Sequence, residues 1–288
     1  MQVFRCLLVI MLFLGSCSNQ PKKNRARAIP PIKPTYNEWT TLTPGMEYKE
    51  MLAPKKSFIG DSKLSILRMD PSLFQFDVYA ATQYDSKPRT LKAWANKFDL
   101  VVAFNSGMYS VENPLQSRAY LQAGRHKNNS KLTPDFNLML AMGPKPNSNR
   151  SNIEVLDLTC SEWDIEKHNF AGFAQGLRMI DCNASPMYWQ KKIQSCSMLV
   201  AAEDEEGRFY LIFTRSPYTH NQMIDFILAM PGGLHDVIYL EGGPEACLLI
   251  DVDGQHIEKI GSWVSETWES DGNRHFWELP NIIGVRKK

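Results

Sequence analysis

The sequence predicts an α+β fold: a single domain on a β-rich mixed sheet, with a few flanking helices. Two observations lead there. Short apolar or alternating segments ending at turn residues recur along the chain, whereas only two stretches carry helical signals. Beyond about residue 45 no internal repeat and no second Pro- or Ser-rich linker divides the chain. With 288 residues, 43% of them hydrophobic, a core can be buried without disulfide support.

Taken in order, Leu64–Met69 and Phe74–Ala80 read as strands, and Thr90–Phe98 as a helix. Leu100–Phe104, Ile153–Leu158 and Met198–Ala202 are short strand segments, and Gly143–Asn152 is a surface loop. Asp204–Gly207 followed by Arg208–Phe213 signals a hairpin. Thr219 is placed to cap a helix running to Met230. Met223, Ile224, Phe226, Ile227 and Met230 form its core face, and Pro231-Gly232-Gly233 ends it. Asp236–Leu240 and Cys247–Val252 read as two buried strands around a Gly-Gly turn. Asp251–Gly254 has part of a calcium-loop pattern but lacks the remaining ligands, and reads as a turn.

The N-terminus differs from the rest. Arg5 precedes an apolar run, Cys6–Leu14, followed by Gly15-Ser16-Cys17. The run is too short for a transmembrane helix but suits a secretory signal. Leu-Gly-Ser-Cys resembles a bacterial lipobox, so residues 1–16 are expected to be removed and Cys17 lipidated. Residues 17–44 then form a tether rich in Pro and basic residues, and 45–288 the folded domain. Lys22, Lys23, Arg25 and Arg27 lie either near anionic headgroups or simply in solvent. An exported protein, lipid-anchored to the bacterial envelope (the outer membrane in a Gram-negative cell), is the expectation. Cys160, Cys182, Cys196 and Cys247 remain beyond the anchor, and spacing does not decide their pairing.

Lys and Arg total 32 against 31 Asp and Glu, so nucleic acid is not an expected partner. The six histidines show no HxH or HExxH spacing, and no metal or cofactor is expected. Among them His220 stands out, at a helix start and close after Arg215. Trp263, Trp268 and Trp277 suit core or interface packing better than a glycan cleft.

Three segments carry the candidate chemistry. In Asp236–Ala246 a buried strand delivers Glu241 to Gly242-Gly243, where the backbone can approach a ligand and offer amides to an anion. Its plain alternative is a hairpin turn with a solvated Glu. In Val101–Ser110 a strand ends at Asn105, followed by Ser106, Gly107 and Tyr109, groups suited to a hydroxyl-rich ligand. In Ala174–Asn183, Gln175 and Arg178 lie close together, and Arg is a natural phosphate partner. For these two segments a turn explains the same residues.

In this order and spacing the segments resemble the phosphodiester glycosidase family, the N-acetylglucosamine-1-phosphodiester α-N-acetylglucosaminidase-like or uncovering-enzyme-like domain, over roughly residues 60 to 286. The family's Asn-Gly-Gly-aromatic-aromatic run is matched by Asn105–Tyr109, its Ser/Gln-x-x-Arg stretch by Gln175 and Arg178, and its Leu-Asp-Gly-Gly-x-Ser motif by Leu240–Glu245. The departures are Glu241 for Asp, Glu245-Ala246 for Ser-Ser, Ser106 for Gly, and Met108 for the first aromatic. They point to a different substrate or an altered activity.

The resemblance implies a hydrolase cleaving a glycosyl phosphodiester in a glycan or envelope polymer. A phosphate monoester leaves more readily than a sugar alkoxide, which relaxes the usual need for two carboxyl groups. Arg178 is then expected to hold the phosphate, with Glu241 or Glu245 near the anomeric carbon. Asn105, Gly107, Tyr109 and Gln175 are expected to hold the sugar, and the amides of Gly242 and Gly243 to stabilise charge. The competing reading is a non-catalytic carbohydrate-binding surface lipoprotein. Convergence of Asn105, Arg178, Glu241 and Glu245 on one pocket separates the two.

Overall fold

The structure, a computed structural model, describes residues 36–190 and 194–288. The signal segment, Cys17 and the tether as far as Thr35 lie outside the described residues. The chain enters the fold through β1 (Thr40–Thr43), β2 (Met46–Leu52) and β3 (Lys63–Met69), an antiparallel meander. β4 (Phe74–Ala80), α1 (Leu91–Phe98) and β5 (Val102–Asn105) follow. Next come β6 (Leu121–Ala123), β7 (His126–Asn129), β8 (Leu138–Pro144), β9 (Ile153–Asp157), α2 (Trp163–Glu166) and the long β10 (Phe170–Ile180). The last third holds β11 (Ser195–Glu203), β12 (Phe209–Thr219), α3 (His220–Leu228), β13 (His235–Gly242), β14 (Cys247–Val252), β15 (Gln255–Ile260) and β16 (Asn281–Lys287).

These strands form two sheets. The larger has 11 strands in the order β1-β2-β3-β12-β11-β13-β10-β6-β7, with β8 and β9 attached through β10. The smaller has 5, in the order β15-β14-β5-β16-β4. A β-rich single domain is what the sequence leads one to expect, but the sheets are not mixed. Every ladder between the named strands is antiparallel. Parallel neighbours need crossovers of a dozen or more residues, usually helical. Here the described α-helices are three and short, and none links parallel strands.

Period-two alternation explains how the layers meet. Phe74, Phe76 and Val78 of β4 pack with Leu199 and Ala201 of β11, Phe209, Leu211 and Phe213 of β12, and Ile238 and Leu240 of β13. The alternate residues Val200, Ile212, Val237 and Tyr239 face outward, where Met223, Ile224, Phe226 and Ile227 of α3 cover them. Thr219 caps α3, its side chain accepting from the Gln222 amide at 3.2 Å while Gln222 answers in a capping box. On the smaller sheet, Leu91, Trp94 and Ala95 of α1 cover Tyr79, Ala103, Leu249 and Ile282. The result is helix, sheet, sheet, helix.

The Gly-Gly segment is not a hairpin turn. β13 belongs to the large sheet and β14 to the small one, so residues 243–245 carry the chain from one layer to the other. Gly243 has φ +67°, and a Cβ there would collide with Val264. The chain also changes layers after β5, and the two crossings touch: Asn105 Oδ1 accepts from the Cys247 amide at 3.1 Å. By contrast Asp253-Gly254 is a tight hairpin turn joining β14 to β15, both residues having positive φ.

Candidate active site

The two crossings open a cleft with two adjoining lobes, of about 270 Å³ and about 410 Å³. Met108, Arg118, Gln194, His220 and Tyr239 line both lobes. The smaller lobe adds Tyr109, Glu241, Gly242 and Glu245, and the larger adds Asp135, Leu177 and Trp189. Alternation along β13 delivers Glu241 here: it shares the outer face with Val237 and Tyr239. Glu245 arrives from the crossing itself, and Tyr109 from the loop that leaves β5.

The carboxyl groups lie in an unusual environment. Burial raises Glu241 to about 8. The Gly242 amide, donating to its Oε1 at 3.0 Å, opposes this, the like charge of Glu245 adds to it, and Arg118 opposes it again. Burial also raises Glu245, against a hydrogen bond that Tyr109 Oη donates to its Oε1 at 2.9 Å. Near neutral pH the pair therefore holds one proton more readily than two isolated carboxylates do. Arg118 is exposed and has no ion-pair partner among the described residues.

Of the expected site residues, Glu241, Glu245, Tyr109 and Gly242 come together, but the others do not. Arg178 lies outside the cleft, which corrects its expected place beside the substrate. One step along β10 from Leu177, which lines the larger lobe, turns Arg178 to the opposite face. There its Nη1 donates to both oxygens of Asp157, at 3.0 and 2.9 Å, and to Thr159 Oγ1 at 2.8 Å. The Cys160–Cys182 disulfide sits beside this pair, while Cys196 and Cys247 are buried and free.

Gln175 is also structural. It is buried, its Oε1 accepts from the amides of Tyr120 and Thr133, and its Nε2 donates to the carbonyls of Thr133 and Phe136. Its amide is thus fully used in holding the 120–136 segment against β10. Gln175→Ala is expected to destabilise the protein by about 2–4 kcal/mol, because buried backbone groups lose their partners. Urea denaturation with an unchanged m value checks this. Asn105 is buried and spends its oxygen on the Cys247 amide. Gly107, at φ +135°, lets the chain leave β5 close to the carbonyls of Gln175 and Leu240. The Gly242 amide donates to Glu241 and the Gly243 amide to the Cys196 sulfur, so neither is positioned as the expected anion cradle.

Sequence reasoning missed Arg118 and Trp189. Trp189 stacks on His220 at 3.8 Å between ring centroids, and His220 meets Tyr239 edge-on at 4.7 Å. This aromatic wall suits the apolar face of a sugar ring. A lone Arg in a loop and a Trp among turn residues carry no spacing signal. Trp268 and Trp277 pack on each other, 5.4 Å between centroids, and Trp263 packs on Phe58, all away from the lining.

No family model matches the chain, and no curated protein matches it by sequence. Solved structures do. The zebrafish N-acetylglucosamine-1-phosphodiester α-N-acetylglucosaminidase catalytic domain, auto-inhibited by its pro-peptide, is similar with a TM-score of 0.55 and 12% identity, covering 86% of each chain. A hypothetical protein from Synechocystis is similar with a TM-score of 0.57 and 10% identity, covering 87% of this chain and 64% of that one. At such identities the likeness is one of fold.

Proposed function

We propose that this chain is an exported, lipid-anchored hydrolase that cleaves a glycosyl phosphodiester linkage in a glycan or envelope polymer. The observation that carries the reading is Glu241, raised to about 8, sharing one cleft with Glu245, Tyr109 and Arg118. The fold shared with the zebrafish catalytic domain gives it weak support.

In this reading the smaller lobe takes the sugar and the larger takes the group beyond the phosphate. Arg118, at the border of both, takes the role first expected of Arg178 and faces the phosphate. Protonated Glu241 donates to the oxygen between the anomeric carbon and phosphorus. That carbon–oxygen bond breaks, and the phosphate monoester leaves with its electron pair. Ionised Glu245 stabilises the oxocarbenium-like centre and accepts a proton from the incoming water. Tyr109 donates to Glu245 and favours its charged form.

The test is release of free sugar from a sugar-1-phosphate diester, compared with an aryl glycoside of the same sugar. Arg118→Ala is expected to lower kcat/KM for the diester by about 10–100-fold, as lost charge-assisted hydrogen bonds do, and to leave the aryl glycoside nearly unchanged. Hydrolysis of the aryl glycoside alone refutes the phosphodiester assignment. The non-catalytic reading is favoured by Arg178, Gln175 and Asn105 serving the fold rather than the cleft. Glycan binding with no turnover of either compound supports it.

A further inference from the structure

A second cavity, of about 260 Å³, lies at the other end of α3 and shares no lining residue with the cleft. His220, which opens α3, lines the cleft; Met230, Pro231 and Gly232, which follow its end, line this cavity. Trp39, Lys49, Ile66, Arg68, Arg208, Tyr210 and Leu234 complete the lining. Three of these side chains are cationic and none is a carboxylate.

Lys49 is the informative one. It is 9% exposed, yet no carboxylate lies within ion-pair distance of its Nζ among the described residues. Its Nζ stands 4.7 Å from the Trp39 ring centroid, and the Arg68 guanidinium stands 4.1 Å from the same ring. Burial lowers the Lys49 ammonium from its ordinary range, and the neighbouring Arg68 lowers it further. Arg68 and Arg208 have their own acids: Glu47 receives the first, and Asp204 and Glu206 the second. Lys49 faces the Trp39 ring and has no carboxylate partner among the described residues. A cation–π contact is worth about 0.5–2 kcal/mol, which offsets part of the cost of withdrawing an ammonium from water. The cavity that Lys49 lines has room for a small anion beside it.

We propose that this cavity binds a phosphate group borne on a compact, partly apolar body. Lys49 supplies the unpaired charge, in-plane N–H groups of Arg68 and Arg208 supply further donors, and Ile66, Met230, Pro231 and Leu234 receive the body. A soluble phosphorylated metabolite and a phospholipid headgroup present the same chemistry. The site is independent of the proposed hydrolysis and stands or falls separately from it.

The test is calorimetric titration of the full-length protein with n-butyl phosphate, comparing wild type with Lys49→Met and Arg118→Ala. Saturable binding is expected in wild type and in Arg118→Ala, weakened at least about tenfold, or about 1.4 kcal/mol, in Lys49→Met. Thermal unfolding of ligand-free Lys49→Met is expected at or above the wild-type midpoint, since the variant removes an unpaired charge. Lys49→Gln replaces it if the Met variant does not fold. Flotation with phosphatidylcholine vesicles, with and without phosphatidic acid, separates the sources. Capture that depends on both phosphatidic acid and Lys49 assigns a headgroup, and soluble binding alone assigns a metabolite. Absence of binding in both formats overturns the proposal. So does binding that survives Lys49→Met but is lost in Arg118→Ala.

Discussion

Glu241→Gln is expected to lower turnover of a glycosyl phosphodiester by about 10²–10⁴-fold, the usual worth of a positioned general acid. Gln keeps the length and the acceptor for the Gly242 amide but has no proton of the right acidity. In wild type the acid form is present below about 8, so kcat/KM is expected to fall as pH rises through that value. The same shift acts on stability, in the opposite sense to a salt-bridged carboxylate. Folded Glu241 binds its proton more tightly than the unfolded chain does. Stability is therefore full below the ordinary carboxyl range and declines as pH rises toward about 8. Glu203, also buried and raised to about 8, contributes the same slope. Glu241→Gln should thus be less active yet more stable above neutral pH, with part of the slope remaining from Glu203. Initial rates and urea midpoints across pH 5–9 check both expectations. Full activity in the Gln variant removes Glu241 from the chemistry.

Arg178→Ala is expected to cost stability rather than catalysis. Asp157 has no side-chain exposure and Arg178 only 13%, so removing the guanidinium strands a buried carboxylate, at about 3–5 kcal/mol. Burial by itself would raise Asp157, but hydrogen bonds from Thr159 and Arg178 outweigh it and hold the carboxyl below its ordinary value. That contribution is present above the carboxyl's unfolded value and is lost as pH falls below it and through the lower folded value, so the variant loses most near neutrality and least in acid. Asp157→Asn in the same chain is expected to restore part of the loss, since the stranded charge goes with it. The measurement is urea unfolding at pH 7 and pH 4, with kcat taken per folded molecule. A variant of wild-type stability that loses only phosphodiester turnover returns Arg178 to the substrate.

Most strands with β-branched or alternating patterns were legible in the sequence. β4 and β14 fall where apolar alternation places them, and Thr219 caps α3 as its side chain requires. β8, rich in Leu and Met with Gly143 near its end, has no strand propensity of its own. It is held by β10 and β9 on either side. The Ala174–Asn183 part of β10 was open to a reading as a turn; yet a Cβ at Gly176 would collide with Ile238, so close approach of β13 accounts for that glycine. At the site, Glu241 and Tyr109 were identifiable because each follows a strand end beside small residues, and Glu245 through the motif resemblance alone. Gln175 and Arg178 lay in an equally suggestive pattern, but which face of a strand a residue takes depends on register, and register is set by distant partners. Arg118 entered the cleft by the same long-range geometry, without a local mark.

The chain's passage between layers at Gly242-Gly243 has a mechanical consequence. Glu241 stands on the large sheet, whereas Tyr109 and Glu245 hang from the ends of small-sheet strands. A ligand gripping all three acts as a rivet between two plates. Pulling the termini apart, or letting amides exchange with deuterium, should then reveal the two sheets yielding together when the cleft is filled and more separately when it is empty.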